Sequence, residues 1–329
     1  MFVTFLWSTS FVLIKIGLRD IPAVTFAGLR YSLAFLCLLP LALGPAHRAF
    51  LRALTARQWG RLLFLGLLFY TVTQGALFLG LLYLPAATVT LFLSFSPVIV
   101  AALGIILLAE SLSFLQWCGV GLFLAGVWIY LYPVILPTKQ LVGLAIVTIG
   151  VLANSASSIF GRHVNRRKDI DPLSVTIVSM GVGAVVLLAT GISFQGLPRL
   201  SPVNWITIIW LAVVNTALAF TLWNHSLRTL SAVESSIINN TMLAQISILA
   251  WLFLGERLGA TQITGLVFVT LGSLIVQVRK LETLRRSAVP NDTPMSERVE
   301  DEQRRAPPTM MPMLRPTSFS TAAWTLRMW

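Results

Sequence analysis

Leu108-Ala109-Glu110-Ser111-Leu112 returns 146 positions later as Leu254-Gly255-Glu256-Arg257-Leu258. Outward from this pair the two halves stay in register without a gap from Trp59 onward. Trp59 meets Trp205, Leu65 meets Leu211, and Leu84 with Ala86 meet Leu230 with Ala232. Downstream, Gln116, Gly119, Gly126 and Ile129 meet Gln262, Gly265, Gly272 and Ile275. Leucine matched to leucine carries little weight in so apolar a chain. A Trp, a Glu, a Gln and a pair of Gly held at one offset mark an internal duplication.

Each copy lies within long apolar runs. The chain has 329 residues, of which 56% are hydrophobic and 11% charged, against about a quarter charged in soluble domains. Strands of a soluble α/β enzyme would end after about 4–8 apolar residues. Here the runs approach the ~20 residues that cross a hydrocarbon core. Reading between charges and Pro/Gly breaks predicts helices at 2–18, 24–43, 61–83, 86–108 and 113–132, then 141–160, 173–193, 203–223, 232–254 and 260–278. The fold class is therefore an all-α integral membrane protein of about ten transmembrane helices. The first helix lacks the basic flank and small-residue cleavage site of a signal peptide, so it counts as a span. Its closeness to Met1 leaves room for a short preceding flank.

Five spans per copy is an odd number, so the second copy enters the membrane from the opposite side. The units are residues 1–132 and 141–280, followed by a Pro-, Arg- and Ser-rich segment over 281–329 that reads as a disordered cytoplasmic tail. Loop charges orient the whole. With the N-terminus in the cytoplasm, Arg48, Arg52, Arg57, Arg61, Arg162, Arg166, Arg167, Lys168, Arg228, Arg279, Lys280, Arg285 and Arg286 lie inside. Only Arg19, Lys139, Arg199 and Arg257 lie outside, which satisfies the positive-inside rule. Both termini are predicted cytoplasmic and the chain is placed in the cell membrane. The net charge of +12 fits those loops and anionic lipid; no nucleic-acid-reading motif accompanies it.

Catalytic chemistry finds little support. His47, His163 and His225 are scattered, and no phosphate-binding loop, nucleophile elbow, paired-carboxylate or metal-ligand spacing occurs. Cys37 and Cys118 fall inside apolar runs and read as packed small hydrophobes. No cofactor or metal is expected, and a membrane-embedded enzyme would need a polar cluster that the sequence lacks. Inverted repeats instead provide two half-structures that rock about a site near the midplane, the geometry of alternating access. Some channels share that architecture, so a facilitative pore is the alternative.

Trp7-Ser8-Thr9-Ser10-Phe11 followed by Lys15, Phe26-Ala27-Gly28-Leu29-Arg30-Tyr31, Pro97 and the two Leu-x-Glu-x-Leu segments resemble the EamA-type members of the drug/metabolite transporter superfamily. The resemblance covers residues 1–280 and implies ten helices in two EamA units and secondary transport of a small polar metabolite, commonly outward. It names no substrate. Ser8 stands where the family often has Gly, and Glu234-Ser235-Ser236 and Asn239-Asn240-Thr241 stand where small or apolar residues are more usual.

Polar side chains within spans are the candidate working residues, since a charge near the bilayer centre costs roughly 2.5–3.5 kcal/mol by insertion scales. Arg30 either neutralises an anionic solute group or snorkels to the outer headgroups. Glu234, a carboxylate predicted within a span, either couples protons or pairs with Arg228 near the inner boundary. Tyr70, Gln74, Asn154, Asn215, Asn239, Asn240 and Gln245 offer donors and acceptors to a polar solute, or join helices to one another. Trp7 and Trp223 serve as aromatic walls or interface anchors. Pro97 removes a backbone hydrogen bond from the fourth helix and is predicted to kink it. Glu110 and Glu256 are assigned structural roles in short turns. The expected partners are a small-molecule substrate and the bilayer, and a homodimer is compatible with both.

Overall fold

The computed structural model describes residues 1–42, 44, 53–108, 113–132, 137–167, 169–226 and 232–288. Among them all regular structure is helical: α1 (Phe2–Gly17), α2 (Ala23–Ala42), α3 (Ala56–Tyr83), α4 (Ala86–Leu93), α5 (Ser96–Leu108), α6 (Phe114–Leu131), α7 (Thr138–Arg166), α8 (Pro172–Gln195), α9 (202–226), α10 (Ala232–Leu254) and α11 (Ala260–Ala288). Met1–Thr283 form one compact unit and Leu284–Trp329 a second. Five of the helices, α2, α3, α6, α7 and α8, contain stretches long and apolar enough to cross a bilayer, and five shorter apolar segments accompany them.

Helix starts follow local chemistry, and the chemistry repeats. Thr55 caps α3 by accepting from the Gln58 N–H at 3.3 Å, while the Gln58 side chain accepts from the Thr55 N–H at 2.8 Å. At the same repeat position, Ser201 accepts from the Asn204 N–H at 3.2 Å, ahead of Pro202 in the first turn of α9. Ser113 and Gln116 form a capping box on α6, and at the matching place Gly259 donates to Gln262 at 2.8 Å. Register between the halves thus extends upstream of Trp59, carried by caps that residue identity alone does not match. Gly255, at φ +69°, ends α10 in a conformation that favours glycine.

Two helices depart from regular α geometry at equivalent places. Leu67–Thr73 in α3 and Val213–Leu218 in α9 are π-helical, and their first residues are again 146 apart. In each, a threonine hydroxyl returns to a carbonyl five residues back: Thr73 to Leu68 at 3.0 Å and Thr216 to Leu211 at 2.9 Å. The widened turn leaves backbone groups without regular partners, and the hydroxyls satisfy some of them.

Many helix neighbours map onto one another when the halves are exchanged. α1 lies on α10 as α7 lies on α4 and α5; α3 lies on α7 as α9 lies on α1; α3 lies on α8 as α9 lies on α2. Three further pairs, α2 with α8, α4 with α10 and α6 with α11, join equivalent helices. Lipid tails are as apolar as the helices, so close packing rather than water exclusion holds such pairs. Small residues make it possible. In α6 and α11, Gly119 and Gly126 are seven residues apart on one face, as are Gly265 and Gly272. A Cβ on Gly126 would sit 2.7 Å from the Gly265 carbonyl oxygen, and one on Gly272 2.7 Å from that of Gly119. The crossing is therefore antiparallel. α2 and α8 are antiparallel too, with Gly28 against Leu188 and Gly191 against Thr25.

Two expectations are corrected. The fourth helix is not one kinked rod: it stops at Leu93, turns through Ser94 and Phe95, and restarts at Ser96. Pro97 stands in the first turn of the new helix, where a missing N–H is harmless. Cys37 and Cys118 are free and lie exposed on their helices rather than packed inside.

Candidate functional site

The structure sorts the candidate residues into three groups. The first surrounds the turn between α4 and α5. A cavity of about 220 Å³ is lined by Phe11 of α1, Thr90 and Ser94 of α4 and its turn, Pro97 of α5, and Asn239 and Asn240 of α10. The Asn240 side-chain oxygen, Oδ1, accepts from the Ser273 hydroxyl of α11 at 3.2 Å. Its amide nitrogen is buried without a hydrogen-bond partner, a state that carries a desolvation penalty of ~1–3 kcal/mol. Asn154 of α7 donates to Ser96 of α5 at 3.0 Å, bracing the restarted helix beside the cavity.

The second group ties α1 to its neighbours. Asn215, fully buried in the π segment of α9, donates to the Leu6 carbonyl and to Thr9 Oγ1, the latter at 3.0 Å. On the other face, Gln245 of α10 accepts from Ser8 at 3.0 Å and donates to Thr241 at 3.0 Å. Trp7 packs on Trp223 and Phe220, ring centroids 5.4 Å apart in both cases. These amides act between helices, the use common for such residues in bilayers.

The third group is centred on Arg30, only 4% exposed. Its Nε donates to Thr216 Oγ1 at 3.1 Å, and its guanidinium lies 5.3 Å from the Tyr31 ring centroid and 6.0 Å from that of Phe78. Tyr31 meets Tyr70 edge-on at 5.6 Å. Tyr70 and Thr216 are equivalent residues of the two π segments, so Arg30 reaches one directly and the other through Tyr31. It does not snorkel, and among the described residues no carboxylate pairs with it. Arg30→Lys should lower the thermal midpoint of the purified protein, because an ammonium has no planar face for Tyr31 and no Nε donor at that position. The expected loss is ~1.5–3 kcal/mol; an unchanged melt would show that neither contact matters. Gln74 follows the first π segment and is half-buried.

Glu256 occupies a different place, at the start of α4. Its carboxylate accepts from the Ala86 N–H at 2.8 Å and the Ala87 N–H at 3.4 Å, and lies 3.9 Å from Lys15 Nζ. Lys15 also donates to the Leu84 carbonyl. A carboxylate from the second half thereby covers the open end of a helix of the first. Glu110 lies outside the described residues, as does the side chain of Glu234. Sequence reasoning passed over Thr90, Ser94 and Ser273, because hydroxyls in spans usually bond their own helix, as Thr90 and Ser94 also do here.

Comparison with known proteins places this architecture. The profile of the EamA-like transporter family matches residues 1–132 and 138–278. The chain belongs to that family of transporters, within the drug/metabolite transporter superfamily. It is 24% identical over 239 residues to the uncharacterized transporter YyaM of Bacillus subtilis (strain 168), covering 69% of this chain and 73% of that one. It is 27% identical over 143 residues to the uncharacterized transporter YxxF of the same organism, covering 43% of this chain and 45% of that one. A solved structure described only as "Crystal structure of protein" shares the fold, with a TM-score of 0.60 at 14% identity, covering 85% of this chain and 96% of that one.

Proposed function

We propose that the chain is a secondary transporter that moves a small polar solute across the cell membrane by alternating access. Its spans form two inverted five-helix units with both termini in the cytoplasm, and the solute binds where the fourth span is interrupted. The observation that carries this reading is the cavity itself: α4 and α5 from one half and α10 from the other line it, and its polar groups are amides and hydroxyls. Its ~220 Å³ is below the ~300–1,000 Å³ of drug-sized pockets. It equals the volume of about seven waters, which suits a metabolite of amino-acid size. Interrupted helices near the midplane are a recurrent element of carrier sites. No ATP-binding motif occurs in the sequence, so an ion gradient or the solute's own gradient drives the movement.

Untargeted metabolite profiling of cells with and without the protein should reveal a solute whose distribution changes. That solute should then show saturable counterflow in proteoliposomes. Asn240→Leu should reduce its transport about tenfold, the equivalent of one lost hydrogen bond, while membrane insertion is kept. Flux that rises linearly with concentration would replace the carrier by a pore. Unimpaired transport in Asn240→Leu would remove the site from this cavity.

A further inference from the structure

A second concavity lies on the outer surface of the bundle, away from the proposed solute site. It is a groove of about 690 Å³ between α10 and α11, bordered by Ala244, Ile248, Trp251, Val267 and Leu271, with Arg257 in the connecting loop. Ile248, Trp251, Val267 and Leu271 are each about half exposed or more, so no other helix among the described residues covers them. Arg257 makes no ion pair or hydrogen bond among the described residues. The neighbouring carboxylate does not neutralise it, because Glu256 is turned to the Ala86 and Ala87 amides.

We propose that this groove binds one anionic phospholipid, with the phosphate on Arg257 and an acyl chain lying between α10 and α11. Length supports this occupant. Lining residues run from Leu243 to Trp251 on α10 and from Ile263 to Leu271 on α11, a rise of about 12 Å on each helix. That approaches half of the ~30 Å hydrocarbon core, so the groove is one leaflet deep and Arg257 sits at its headgroup end. A guanidinium matches a phosphate in geometry and charge. Trp251 on the wall is a side chain favoured near the membrane surface. Charge disfavours a second copy here: a two-fold contact through the groove would set two Arg257 guanidinium groups against each other. The inference does not depend on the transport reading.

Native mass spectrometry of the full chain, with phosphatidylglycerol or phosphatidylcholine of identical acyl composition, tests the site. The wild type should retain one phosphatidylglycerol at least about fivefold more strongly than phosphatidylcholine. Arg257→Gln should abolish that preference, and Ala244→Trp, which fills the groove, should remove the retained lipid. Both positions face outward, so thermal midpoints should stay near that of the wild type. Equal retention of the two lipids by the wild type would overturn the proposal, as would a preference that survives Arg257→Gln. A dimer that Ala244→Trp dissociates would assign the groove to a second copy instead.

Discussion

Gly272→Leu should yield no folded, monodisperse protein. A Cβ at this position would lie 2.5 Å from the Phe123 nitrogen and 2.7 Å from the Gly119 carbonyl oxygen. Both are backbone atoms in the middle of α6, so the clash can be relieved only by parting the two helices. Overpacking against movable side chains typically costs ~1–3 kcal/mol, occasionally more; here the cost should exceed ~3 kcal/mol. Gly121 is the control. It lies on α6 too, but a Cβ there meets nothing within 4 Å, so Gly121→Leu should give a wild-type elution profile and melt. If fluorescence-detected size exclusion shows equal peaks for both variants, the α6–α11 crossing is not as described.

The second large effect is expected at Glu256. Glu256→Ala strips the acceptor from two α4 amides and the countercharge from Lys15, whose ammonium then keeps only the Leu84 carbonyl. Charge-assisted hydrogen bonds contribute ~1.5–3 kcal/mol each, and this cluster is partly hydrated, so a loss of about 2–4 kcal/mol is expected. Lys15→Met in the same chain should recover part of it, because the stranded cation is then gone. A double-mutant cycle read by thermal unfolding in detergent measures the coupling. Strict additivity of the two substitutions would show that Lys15 and Glu256 do not act on each other.

Large and chemically distinctive residues made the duplication legible in the sequence. Trp59 with Trp205 and Glu110 with Glu256 carry more information per match than any leucine pair. Glycine was legible as identity but not as purpose: Gly126 and Gly272 stand at a helix crossing, whereas Gly121 does not. The break in the fourth span was hidden because Leu93-Ser94-Phe95-Ser96-Pro97 continues an apolar run, and bilayer solvation demands the same composition of a broken helix as of a whole one. The π segments left no trace, since an inserted residue changes phase without changing residue type. Cys37 and Cys118 show a related blindness. In water an apolar residue points inward, but in lipid it is equally at home on the outer face. The amides posed the same difficulty in polar form. Asn215, Gln245 and Asn240 look alike in a span, and all three join helices, yet only the third also borders the cavity.

The exchange symmetry of the helix contacts has a consequence for energetics. Under the alternating access proposed above, two halves identical in sequence could trade conformations and give a second structure of equal free energy, facing the opposite compartment. Degeneracy of that kind leaves neither face preferred. On that proposal, the bias between them comes from residues that differ across the repeat. Thr216 opposite Tyr70 is such a pair, and so are the asparagines at 239 and 240, opposite Leu93 and Ser94. A shift from 1:99 to 99:1 between two such states takes only about 5.5 kcal/mol. A few unmatched side chains suffice to set which way an otherwise ambidextrous scaffold rests.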